Sequence, residues 1–174
     1  MSDWKRPASG GPPSAGSEGA VRELRGKRDA KRYRVAVAAS VFNDAIVNAL
    51  LEGALGAWKK HGGDVDQLLI ARVPGAFELP VVARQMAVSG RYDAVVALGA
   101  VIRGDTPHFE YVSGECARGL QQVSCDTGVP VVFGVLTVNT MEQAQERAFV
   151  DRSNKGGESM EVALEMADLL AQLK

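Results

Sequence analysis

Four short apolar runs, each followed by an amphipathic stretch, leave this chain few ways to fold. Arg34 to Ser40 (RVAVAAS) is nearly continuous in apolar residues, as a parallel strand buried on both faces must be. Asn43 is placed to cap a helix. Beyond it Ile46, Val47, Leu50, Leu51, Ala54, Leu55 and Trp58 recur at three and four and form one apolar face. Lys59, Lys60 and His61 ahead of Gly62-Gly63 make a C-terminal stop. The pattern then repeats. Asp66 to Val73 reads as a strand broken by Pro74-Gly75, and Phe77 to Val88 as a helix with Pro80 tolerated near its start. Asp93 to Ile102 is the third strand and Thr106 to Asp126 the third helix. Gly128-Val129-Pro130 leads into a fourth strand, Val131 to Val138, and helices follow over Thr140 to Phe149 and Lys155 to Leu173.

This alternation predicts right-handed crossovers and a four-stranded parallel sheet with helices on both faces, an α/β/α sandwich. Ligands of such sheets bind beyond the carboxyl ends of the strands. Four segments are therefore candidates: Ser40 to Asn43, Pro74 to Glu78, Ala100 to His108 and Phe133 to Asn139.

At 174 residues the chain has length for one domain with a substantial core. No apolar stretch approaches the roughly 20 residues that span a bilayer, and the polar N-terminus lacks the apolar centre of a secretory signal. A cytoplasmic protein with no membrane partner is expected. Cys116 and Cys125, nine positions apart, match neither a CxxC site nor a disulfide framework and read as reduced thiols. The net charge of −1 is unevenly spread: Met1 to Arg34 holds nine Lys/Arg and four Asp/Glu, a balance of +5, so the rest carries −6. Met1 to Gly19 is rich in Pro, Gly and Ser and has little to bury. It lacks interleaved aromatics and contains acids, so a solvated extension is expected rather than a nucleic-acid arm. Ala20 to Leu24 is strand-like but needs a partner. The expected division is a flexible basic extension over 1–32 and an α/β domain over 33–174.

The familiar cofactor signatures are missing. No GxGxxG follows the first strand, and there is no Walker A sequence, HExxH or GxSxG. With two histidines and no Cys/His cluster, no metal site is expected. What stands at the predicted strand ends is a set of individual groups. Gly104-Asp105-Thr106-Pro107 opens a helix, where unpaired N–H groups and the Thr106 hydroxyl suit an anion. The same residues also make an ordinary N-cap. His108 follows in the first turn, and imidazole is the side chain that exchanges a proton near neutral pH. Phe42, Phe77 and Phe133 near strand ends predict an aromatic box for a flat ligand, although each alone also suits a core. Glu78 is placed to accept hydrogen bonds from hydroxyls. Arg147 and Lys155 flank the loop between the last two helices, a pair of cations suited to an anion together.

Four long segments in order, VPGAFELP (Val73 to Pro80), GAVIRGDTPHFEYV (Gly99 to Val112), FGVLTVNTMEQAQERA (Phe133 to Ala148) and SNKGGE (Ser153 to Glu158), resemble lumazine synthase from about Tyr33 onward. The resemblance implies a flavodoxin-like sandwich that needs no cofactor. It also implies a reaction: 5-amino-6-(D-ribitylamino)uracil condenses with 3,4-dihydroxy-2-butanone 4-phosphate to give 6,7-dimethyl-8-ribityllumazine, phosphate and water. Phe42 is then expected to stack on the pyrimidine. Ala76, Phe77 and Glu78 would hold the ribityl chain and ring edge, and Ala100, Val101 and Ile102 would touch the ring. Gly104, Asp105 and Thr106 would cradle the phosphate, with Arg147 completing its charge and His108 moving protons. Phe133 and Arg147 are expected from a neighbouring subunit, with Lys155 supporting that junction. Homopentamers, a 60-subunit shell, an N-terminal strand added to a neighbour and association with riboflavin synthase all follow from the resemblance. A non-catalytic flavin- or lumazine-binding shell protein on the same fold is the alternative. Two departures stand out. Many members have Arg where this chain has Val41, and the usually Gly-rich segment after Arg147 here reads Ala148-Phe149-Val150-Asp151-Arg152-Ser153.

Overall fold

The computed structural model describes residues 21–174; Met1 to Gly19, expected to be a solvated extension, and Ala20 lie outside them. Strands β1 (Val35–Ser40), β2 (Leu69–Val73), β3 (Ala94–Ile102) and β4 (Val131–Val138) form one sheet. All pairs are parallel, in the order β2-β1-β3-β4. Helices α1 (Asp44–Lys60), α2 (Leu79–Val88), α3 (His108–Thr127), α4 (Met141–Ala148) and α5 (Lys155–Gln172) cover its two faces. The expected α/β sandwich of flavodoxin-like kind is thus present.

β1 shows why the sequence demands this arrangement. Every one of its six residues is buried. Val35, Val37 and Ala39 belong to the core beneath α1, α4 and α5, and Ala36 and Ala38 to the core beneath α2 and α3. Successive side chains of a strand point to opposite faces, so a strand covered on both sides is almost wholly apolar; Ser40, at its carboxyl end, is the one polar residue of β1. Each fully buried Leu or Val contributes about 1.5–3 kcal/mol. From β1 the chain goes out to the edge at β2 and returns past β1 to β3. The direction of winding reverses between β1 and β3, which opens a crevice at their carboxyl ends.

The second face is held by the α1–α5 crossing. A Cβ on Gly156 would stand 1.8 Å from the carbonyl oxygen of Leu50, so the two backbones touch directly. Asn154 locks the same junction. Its Oδ1 accepts from Gly157 N at 2.8 Å and caps α5, while its Nδ2 donates to Ala49 O at 3.0 Å.

Local chemistry moves several boundaries. β2 starts at Leu69 rather than Asp66, because the Asp64 carboxylate accepts from Asp66 N at 3.1 Å and starts a 3-10 turn over Val65–Gln67. Phe77 lies in a 3-10 turn, Ala76–Glu78, ahead of α2. Thr140 caps α4 as expected, accepting from Gln143 N at 3.3 Å. Asn43 and Thr106 make no cap bond; Asn43 takes a left-handed conformation and α3 starts from Pro107. Val21 to Leu24 pairs with no strand among the described residues. No helix among those residues is long and apolar enough to cross a membrane.

The segment leading into β1 is tied to α5. Asp168, buried in α5, accepts from Lys27 N at 3.0 Å and from the Tyr33 hydroxyl at 2.7 Å. Two turns earlier, Glu161 receives Lys60 Nζ at 2.9 Å and pairs with His61 Nε2 at 3.0 Å; Arg28 joins them. Hydrogen bonds from Lys60 and then His61 push the Glu161 carboxyl down from 4.5 to about 2. A carboxylate whose folded pKa is depressed contributes stability above its unfolded pKa and loses it as the pH falls through the folded one. Glu161→Gln should therefore cost about 1–2 kcal/mol at neutral pH, allowing for the solvent screening of Lys60. Urea unfolding at stepped pH checks this. The gap to wild type should close between pH 4.5 and about 2, and a gap that stays constant over that window contradicts it.

Candidate active site

A cavity of about 390 Å³ occupies the crevice predicted by the winding of the sheet. Three strand ends build it. Past β1, Val41 N donates to Val73 O at 2.8 Å and Phe42 N to Pro74 O at 3.0 Å, so the β1–β2 pairing continues until Phe42 is placed on the rim. There Phe42 is 70% exposed, a large apolar surface left uncovered among the described residues. Asn43 follows with φ +60°, a left-handed conformation that Asn tolerates. Its Nδ2 donates to the carbonyl of Ala100 at 2.9 Å and ties the exit of β1 to the end of β3.

From β2, Gly75 runs extended into the 3-10 turn, and Ala76, Phe77 and Glu78 all line the cavity. A Cβ on Gly75 would stand 3.1 Å from Glu78 Oε2, so the absence of a side chain leaves room for the carboxylate to lie across the turn. Phe77 is exposed on the rim opposite Phe42. β3 supplies the floor, Ala100, Val101 and Ile102. Beyond it Gly104, Thr106 and His108 reach the cavity, as do Phe109 and Val112 of α3. The first N–H groups of a helix have no partners within it, and the dipole is positive there. With Thr106 free of a capping bond, its hydroxyl and these donors stand together at the cavity wall. A mainly apolar cavity lined by a carboxylate, a helix start and an imidazole suits a planar heterocycle bearing hydroxyls beside an anion.

Several expected residues lie elsewhere. Asp105 is exposed and does not line the cavity. Phe133 is the third residue of β4, paired with Ala97, and so sits toward the amino end of the sheet. Among the described residues of one chain, the rings at the cavity are therefore Phe42, Phe77 and Phe109, without Phe133. Phe133 instead lines a second concavity of about 350 Å³ with Thr137, Arg147, Lys155 and Glu158. Arg147 donates from its guanidinium to Gln143 O at 3.0 Å, and Lys155 Nζ lies 2.7 Å from Glu158 Oε2.

The family model for 6,7-dimethyl-8-ribityllumazine synthase matches residues 32–171. The chain belongs to this family. Lumazine synthase membership places it in riboflavin biosynthesis and makes it an enzyme of transferase type. Sequence reading missed Gly75, Phe109 and Val112 in this lumazine synthase cavity, and the bracing role of Asn43. Val112 stands four residues after His108, a spacing that shares a helix face, and Phe109 stands three before Val112.

Proposed function

We propose that the cavity condenses 5-amino-6-(D-ribitylamino)uracil with 3,4-dihydroxy-2-butanone 4-phosphate to give 6,7-dimethyl-8-ribityllumazine, phosphate and water. The observation that carries this reading is the convergence of Phe42, Glu78, Thr106 and His108 on one cavity in a chain of this family. Phe42 stacks on the pyrimidine, Ala76 and Phe77 flank the ribityl chain, and Glu78 accepts from its hydroxyls. Ala100, Val101 and Ile102 bear on the ring. Gly104 and Thr106, with the N–H groups of the α3 start, hold the phosphate; Asp105 contributes only its backbone.

The primary amine attacks the ketone, water leaves to form an imine, phosphate is eliminated to leave an enol that becomes a second carbonyl, and the second amine closes the ring there with loss of another water. Each stage moves a proton, and His108 beside the phosphate cradle is the group to move it. Holding two substrates in one orientation contributes several kcal/mol. Proton transfer by a positioned side chain typically adds roughly 10²–10⁴-fold.

The concavity holding Phe133, Arg147 and Lys155 completes the site from a second copy. Two features support this: a half-exposed aromatic and a surface cation lie apart from the cavity of their own chain, and that cavity has an open aromatic rim. A closed homopentamer is the assembly in which each copy gives one face and receives the other. Residues 33–174 form the catalytic domain, residues 1–32 an extension, and the cytoplasm is the site of action. Mixing both substrates with purified protein and following lumazine absorbance tests the reaction. Turnover dependent on both substrates is expected, and a rate no higher than the uncatalysed background would overturn it.

A further inference from the structure

Arg103, the first residue past β3, touches two separate segments, the end of β4 and the start of α3. Its backbone N–H donates to Val138 O at 2.9 Å. Its Nε donates to Asn139 Oδ1 at 2.9 Å, in the turn between β4 and α4. From the other arm of the guanidinium, NH1 donates to the Glu110 carboxylate at 2.5 Å, in the first turn of α3. The guanidinium also lies over the Phe109 ring, 4.2 Å from its centre. A planar fork of five donors makes such contacts at once; an ammonium on a flexible stem does not.

By sequence Arg103 is the cation nearest to Gly104 and Thr106, and so the obvious anion ligand. The geometry points elsewhere. Arg103 does not line the cavity, whereas Phe109, on which it stacks, does. Its charge is engaged by Glu110, whose carboxyl it holds below the ordinary range. We propose that Arg103 is a positioning residue: by bridging Asn139, Glu110 and Phe109 it fixes the first turn of α3, and with it His108, against the end of β3. The pairing is half-exposed on both sides, 44% for Arg103 and 53% for Glu110, so it adds little to global stability. Its worth lies in geometry, and misplacing a reacting group by about 1 Å costs roughly 10²-fold.

The kinetic part of this inference rests on the reaction proposed above. Arg103→Lys, Arg103→Gln and Glu110→Ala are compared with wild type by steady-state kinetics, thermal unfolding and NMR of labelled histidine. Arg103→Lys and Arg103→Gln should each lose roughly 10–100-fold in kcat with KM for the phosphate ester within about twofold and Tm nearly unchanged. Glu110→Ala should fall in the same direction, and combining it with Arg103→Gln should add little. The chain has two histidines. His61, at the far end of α1 beside Glu161, is the internal control. In Arg103→Gln the His108 imidazole signals should move and those of His61 should not. Full activity in Arg103→Lys with a raised KM for the phosphate ester in Arg103→Gln would make Arg103 a ligand and overturn the proposal. Unmoved His108 signals in the folded Arg103→Gln protein would overturn it too. A wild-type protein without turnover would instead refute the reaction, and the NMR comparison would still decide the role of Arg103.

Discussion

Replacing His108 with alanine should lower kcat about 10²-fold while KM for either substrate changes less than about threefold. The imidazole lies on the cavity wall in the first turn of α3, next to Thr106 and the unpaired N–H groups of the helix start. In the proposed reaction a group there would sit beside the leaving phosphate and the carbons that gain and lose protons, while little of the ring-binding surface depends on it. Loss of proton transfer therefore acts on the transition state more than on the ground state. Steady-state rates from lumazine absorbance, with each substrate varied in turn, check this. Unchanged kcat would remove His108 from the chemistry, and a large rise in KM alone would make it a binding residue.

The largest effect on stability should come from Gly156→Ala. An added Cβ would stand 1.8 Å from the carbonyl oxygen of Leu50 and 2.8 Å from its Cα, atoms of backbone that no side-chain rotation can move aside. The helices α1 and α5 must then separate, opening the core formed by Leu50, Ala54, Met160 and Leu164. A loss of about 3 kcal/mol follows, at the upper end of the usual cost of overpacking, and Tm should drop by roughly 10 °C. Gly56→Ala on the exposed side of α1 is the control, because a Cβ there meets nothing within 4 Å. Alanine at that position should be neutral or stabilise by about 0.5–1 kcal/mol. A Tm for Gly156→Ala equal to wild type would contradict the close approach of the two backbones.

These two predictions also mark what was legible in the sequence. Strong periodicity carried the architecture. The fourth strand was placed at Val131–Val138, as found, because a run of apolar residues stands between a Gly-Val-Pro turn and a Thr cap. The crevice at the carboxyl ends followed from strand alternation alone, and Phe42, Glu78, Thr106 and His108 meet there. Contacts that join distant parts of the chain were not legible. Asn43 reads as a helix cap from its neighbours, yet its amide serves Ala100, 57 residues away. Arg103 directly precedes Gly104-Asp105-Thr106 in sequence, yet its guanidinium is held by Asn139, 36 residues on. Phe133 was grouped with the other two phenylalanines near strand ends, but it stands at the third position of its strand and not beyond the last. The strand bounds read from sequence already make Phe133 the third residue of β4; residue type, not position, is what groups it with Phe42 and Phe77.

The account centres on a site made by two copies, the cavity of one and the Phe133–Arg147 face of the next. Arg147→Ala and His108→Ala variants, each dissociated and then reassembled as a mixture, test this directly. A cavity with intact His108 then meets a face with intact Arg147 in some of the sites. Equal mixing should restore about a quarter of wild-type turnover, the share of sites that random assembly leaves whole. Turnover of the mixture no higher than the mean of the two variants would contradict a shared site.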